Sequence, residues 1–82
     1  MDDNEIIELF WQRSEDALDA VSSKFYIYCR GFAIEILHSN EDADECFNEA
    51  LFKAWKAIPP ARPKNLAAFL RKIITNIALD RY

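Results

Sequence analysis

This sequence predicts an all-α fold: a compact bundle of three long helices plus a short N-terminal helix. Three observations carry that prediction. One Gly and three Pro among 82 residues leave almost nothing from which to build tight hairpin turns. Apolar residues recur at three- and four-residue intervals in four stretches, with no sustained alternation of period two. Helix start and stop signals fall between those stretches: Ser14, Ser39 and Asn65 as caps, Pro59-Pro60 as a break.

The first helix is expected over Glu5 to Arg13, with Ile6, Leu9 and Phe10 on one face and Asp3 or Asn4 as its N-cap. Ser14 caps the second, over 15–37, whose apolar stripe is Leu18, Val21, Phe25, Tyr28, Phe32 and Ile36. Gly31 inside it costs about 1 kcal/mol relative to Ala and would admit a close neighbour. His38 stands at its C-terminal end, where positive charge is favoured. The third helix, over 40–57, opens on Ser39-Asn40-Glu41-Asp42, a Ser with an acid three residues on, and cannot continue through Pro59-Pro60. A loop over 58–65 leads to the fourth, 66–82, capped by Asn65. On a helical wheel Leu66, Phe69, Leu70, Ile73, Ile74 and Ile77 share one side of it, and Arg71, Lys72, Thr75 and Asn76 the other. Trp11, Trp55 and Phe69 are expected in or near the core, and Asp80, at the edge of the apolar side, paired with Arg62 or Lys64.

Composition removes several classes of function. A hydrophobic share of 51% with 29% charged residues is that of a globular chain. No window approaches the roughly 18 apolar residues of a membrane span. The acidic start, Met1 to Glu5, is unlike a signal peptide, so a cytoplasmic protein is expected. Cys29 and Cys46 lack zinc-site spacing, and His38 completes no metal set with them, so they read as buried small hydrophobes. No Ser/His/Asp set and no Gly-rich phosphate loop exists, which argues against an enzyme, and no cofactor is expected.

Charge is informative once it is divided. Up to Phe52 there are thirteen acids and three bases; from Lys53 on there are seven bases and one acid. The two parts carry −10 and +6, which make the net −4. Such polarity suits an acidic surface for a basic protein partner and a basic surface for phosphate. The side of the fourth helix that bears Arg71, Lys72, Thr75 and Asn76 is what a nucleic-acid-reading helix presents.

At the third and fourth helices the residues become more specific. Asp42-Ala43-Asp44-Glu45-Cys46-Phe47-Asn48-Glu49-Ala50-Leu51-Phe52-Lys53-Ala54-Trp55 closely resembles the acidic helix, region 2.2, of bacterial RNA polymerase sigma factors. Leu66-Ala67-Ala68-Phe69-Leu70-Arg71-Lys72-Ile73-Ile74-Thr75-Asn76-Ile77-Ala78-Leu79-Asp80-Arg81 looks like region 2.4 of the same family. The order and separation of the two also fit, and the helix of 15–37 is similar to region 2.1. The resemblance runs from about residue 5 onward, and the short connections suggest the compact extracytoplasmic-function group.

The resemblance implies transcription initiation. In that family the acidic helix docks on the clamp helices of the polymerase β′ subunit, and the following loop and helix recognise and help open the minus-ten promoter element. By position it assigns Asp42, Asp44, Glu45, Asn48, Glu49 and Leu51 to the core polymerase, with Asn48 where the family usually has Gln. To promoter DNA it assigns Lys72, Thr75 and Asn76, with Arg71 on phosphate and the loop residues Arg62, Lys64 and Asn65 beside an unstacked base. The residues themselves offer no metal set, and the resemblance allows an anti-sigma factor as a further partner. Because opening a duplex costs several kcal/mol, the domain is expected to prefer the non-template single strand. Two rivals remain: a helical protein–protein interaction module or sigma-like regulator without promoter DNA binding, and a helical DNA-binding domain without a polymerase contact. The chain is expected to be part of a longer protein that starts at Met1 and carries a C-terminal helix-turn-helix domain.

Overall fold

A computed structural model describes all 82 residues, Met1 to Tyr82, as four helices: α1 (Asp3–Trp11), α2 (Asp16–Leu37), α3 (Asn40–Ala57) and α4 (Leu66–Arg81). No strand is present. The all-α bundle expected from the sequence is the architecture observed. α2, α3 and α4 pack against one another and α1 lies on α2. Nineteen buried residues, all apolar or Cys, make one core.

α1 begins earlier than expected. Asp2 is its cap: the carboxylate accepts the Glu5 N–H at 2.8 Å, and the Glu5 carboxylate accepts the Asp2 N–H at 3.2 Å. Asp3 and Asn4 cannot serve in that way because neither has an acid three residues on to answer it. α1 also ends earlier, at Trp11, in a left-handed turn. Arg13 takes φ 57°, its N–H meets the Phe10 carbonyl, and the Ser14 N–H meets the Leu9 carbonyl, each at 2.9 Å. Glycine is usual at such a position, and a side chain there costs about 1–2 kcal/mol. A tertiary contact accounts for the arginine. Its Nη1 donates to the carbonyls of Trp55 and Ile58, both at 2.8 Å, and its guanidinium lies 3.7 Å from the Trp55 ring centre. A residue leaving α1 therefore satisfies the unpaired carbonyls at the end of α3.

In α2 the buried row is Ala17, Val21, Phe25, Cys29 and Ala33, at strict four-residue intervals. Of the expected stripe, Val21 and Phe25 lie at its centre, while Leu18, Phe32 and Ile36 flank it. Tyr28 is 41% exposed, edge-on to Phe32 at 5.0 Å. Three of the five residues in that row are Ala or Cys, and the larger Leu18, Phe32 and Ile36 pack along its flanks. Ser14 lies one position too early to be the cap proper; its hydroxyl accepts the Asp16 N–H at 3.3 Å and Glu15 makes no side-chain cap bond. His38 ends the helix in a left-handed conformation, φ 55°.

Gly31 does not meet a close neighbour. A Cβ built there has nothing within 4 Å, because the residue faces away from the core. Gly31→Ala is accordingly expected to stabilise the fold by about 0.5–1 kcal/mol, through helix propensity alone. A urea midpoint that rises with unchanged m-value is the supporting result; a fall would mean the site is crowded after all.

The remaining start signals act as read. Ser39 Oγ accepts the Asp42 N–H at 3.2 Å, and the Asn65 side chain accepts the Ala68 N–H at 3.0 Å. α4 buries Leu66, Leu70, Ile74, Ile77 and Ala78, with Phe69 and Ile73 half-buried. Both cysteines are free and buried, and burial pushes the Cys29 thiol up to about 11. Two further expectations fail. Trp11 is 38% exposed and is not a core residue. Asp80 is exposed and forms no ion pair, since Arg62 turns instead to Glu8 at 2.8 Å.

Candidate functional site

The structure separates the polar candidates on α3 into three kinds. Asp42, Asn48 and Glu49 are exposed, and their side chains have no partner within the chain. Asp44 is turned toward α2. It accepts hydrogen bonds from the Tyr26 hydroxyl and, at 2.9 Å, from Arg30 Nε, which also reaches Asn40 at 3.3 Å through Nη2. The Tyr26 and Arg30 hydrogen bonds hold the Asp44 carboxyl below the usual carboxylate range, and the same contact with Asp44 pushes the Tyr26 hydroxyl up. Asp44 is thus a charged clasp between α2 and α3 and not a free surface acid. Glu45 is also engaged, accepting from Arg81 Nη1 at 2.9 Å and so tying α3 to the end of α4.

Leu51 is half-buried against the core. Its neighbour Phe52 is the exposed apolar side chain, at 56%, with Lys56 Nζ 4.3 Å from its ring centre. Glu41, Glu45, Asn48 and Phe52 recur at helical spacing, so they share the outward face. Sequence reasoning missed Phe52, although the wheel held the signal. It stands opposite Ala43, Phe47, Ala50 and Ala54, the residues that α3 buries.

The basic candidates divide likewise. Lys72 and Asn76 are exposed on α4, Thr75 is half-buried between them, and Leu79, one turn beyond Thr75, is 56% exposed. Arg71 leans back onto α2, its guanidinium 4.6 Å from the Phe32 ring centre. In the loop, Lys64 is exposed and forms no ion pair, whereas the Asn65 side chain is committed to capping α4. Arg62 is bound by Glu8 and lies 4.8 Å from the Trp11 ring centre. Along the α4 axis, Lys72 and Asn76 stand about 10 and 16 Å from Asn65 at 1.5 Å per residue. Loop and helix therefore offer a row of polar and basic groups and not a pocket.

A hollow of about 480 Å³, lined by Met1, Ile6, Ala20, Ser23 and Lys24, opens between α1 and α2, apart from all these residues. No three His, Cys, Asp or Glu side chains stand together as a metal set. No helix is long and apolar enough to cross a membrane.

The family model for Sigma-70 region 2 matches residues 23–82, from the middle of α2 to the last residue. The chain belongs to the sigma-70 region 2 family. No curated protein and no solved structure matches it. Sigma-70 region 2 is a non-enzymatic part of transcription initiation factors, concerned with binding core RNA polymerase and melting promoters. Within this sigma-70 region 2 chain, both acidic α3 and basic α4 fall inside the matched residues, while α1 falls outside them. The match therefore starts later than the resemblance at about residue 5 suggested.

Proposed function

We propose that the outward face of α3 docks on the clamp helices of the polymerase β′ subunit, and that the 58–65 loop and α4 take the non-template strand of the minus-ten element. The observation that carries this reading is a segregation of unpaired charge. Asp42 and Glu49 on α3, and Lys64 and Lys72 at and on α4, lack internal ion-pair partners, whereas Asp44, Glu45 and Arg62 near them are each tied to another element. Free acids suit a basic protein surface and set orientation and on-rate, at about 0–1 kcal/mol per exposed pair. Phe52 is the apolar group fit to supply an anchor beside them.

In this reading Asp42, Glu49, Asn48 and the outer edge of Glu45 meet the polymerase, Asp44 orients α3, and Leu51 supports Phe52 from below. Lys72 and Asn76 meet DNA directly, Thr75 and Arg71 flank them, and Lys64 and Asn65 border the unstacked base. The whole chain is then one sigma region 2 unit working in the cytoplasm, of the compact extracytoplasmic-function kind, whose exposed faces an anti-sigma factor would cover.

The test is titration of the 82-residue chain with the isolated clamp coiled coil, followed by calorimetry, and then with single-stranded promoter oligonucleotide at low salt. Saturable binding of both is expected. Lys72→Ala with Asn76→Ala should weaken the oligonucleotide about ten-fold, in line with about 1–3 kcal/mol for a good base contact, and leave the clamp affinity unchanged. No clamp binding at tens of micromolar by a folded chain would remove the polymerase assignment; clamp binding without any DNA binding would favour a sigma-like regulator.

A further inference from the structure

α1 finishes against the segment that leads from α3 into α4. Phe10 meets Trp55 with ring centres 6.2 Å apart, and Arg13 holds the Trp55 and Ile58 carbonyls. Beyond them, Arg62 Nη1 donates to Glu8 Oε1 at 2.8 Å, and the same guanidinium lies over the Trp11 indole. The loop's arginine is thus held on α1 by a carboxylate and a ring, while Lys64 two residues later is free of both.

We propose that Glu8 is an internal competitor for nucleic-acid phosphate at Arg62. The inference rests on the reading of Arg62 as a DNA contact. A carboxylate and a phosphodiester offer the guanidinium fork the same thing, anionic oxygens in its plane, so one occupant excludes the other from the shared N–H edge. Glu8 and Arg62 side chains are each 53% exposed, which makes the pair a weak surface pair that a phosphate can displace. Arg13 differs: its two backbone carbonyls and its stack on Trp55 keep it in place whichever partner Arg62 takes. Trp11 offers Arg62 a platform in both states, since an aromatic face attracts the cation without using its N–H edge. Glu8 thereby lowers both the affinity of the loop for a polyanion and the dependence of that affinity on salt.

The experiment uses a fluorescent fifteen-nucleotide thymidine oligomer and the 82-residue chain, with anisotropy read from about 50 to 200 mM salt, a range over which phosphate contacts respond strongly. Variants are Glu8→Gln, Arg62→Ala, the two combined, and Lys72→Ala, each checked for an unchanged melting temperature. Glu8→Gln is expected to tighten binding about two- to five-fold at low salt and to steepen the log–log salt slope by up to about 0.7, the value for one single-strand phosphate. In the combined variant the gain should vanish. A gain that survives Arg62→Ala would overturn the proposal, because it would then reflect only the loss of a nearby negative charge. Unchanged affinity in Glu8→Gln, with Lys72→Ala still weakening binding, would overturn it and leave the DNA reading intact. Absence of binding by the parent chain at low salt would overturn both.

Discussion

Asp42→Lys combined with Glu49→Lys should reduce binding of the isolated β′ clamp coiled coil at least 100-fold, below detection at tens of micromolar. Both side chains are exposed and unpartnered, so the exchange removes nothing that holds the helices together. The structural penalty is confined to Asp42 in the first turn of α3, where an acid favours the helix N-terminus by about 0.3–1 kcal/mol. At the interface the effect is far larger. Two attractive pairs become two like-charge contacts, and such juxtapositions cost several kcal/mol. Calorimetry or Trp fluorescence reads the loss, with circular dichroism to show that the fold persists. Undiminished binding by the folded variant would sink the assignment of α3 to the polymerase.

These two positions are the right ones to reverse because their neighbours are not. Asp44→Lys would break the clasp with Tyr26 and Arg30, and Glu45→Lys the tie to Arg81. Loss of binding in either could then mean a displaced α3 and not a lost contact.

The second large effect concerns stability. Phe10→Ala is expected to destabilise the chain by about 3–5 kcal/mol, as truncation of a fully buried phenylalanine does. Phe10 has no exposed surface and packs on Trp55, so its loss opens a cavity where α1 meets α3. With about 4–8 °C per kcal/mol for a domain of this size, the melting temperature should fall by about 12–40 °C. Trp11→Ala, one residue on, removes a larger but partly solvated ring and should cost much less. The comparison decides whether α1, which lies outside the family match, belongs to the same cooperative unit as the rest. A cost for Phe10→Ala under about 1 kcal/mol, small by the standard of core truncations, would mean that it does not.

Much of this molecule could be read before any coordinates. Ser39 and Asn65 were legible as caps because each bonds a backbone N–H three residues away, within reach of local spacing. The wheel of α4 was legible because one helix face answers one core, and the acidic and basic halves because charge can be counted. Asp2 was misjudged in favour of its neighbours, although its reciprocal bond with Glu5 is just as local. Tyr28 and Trp11 were placed inward on size and hydrophobicity, whereas the buried row of α2 runs through Ala17, Cys29 and Ala33 and leaves Tyr28 41% exposed.

The sequence by itself determined the class of fold, the ends of α3, the start of α4 and the segregation of charge, since each depends on residue type or on partners within a few positions. Tertiary structure alone decided which charges are free. Asp44 meets Arg30 across 14 residues of chain, Glu45 meets Arg81 across 36, Arg13 meets Trp55 across 42 and Glu8 meets Arg62 across 54. An isolated carboxylate has the same letter whether it faces water, a neighbouring arginine or a polymerase. Only the packing of distant segments says which, because an ion pair needs its two ends within about 4 Å and sequence separation does not measure that distance.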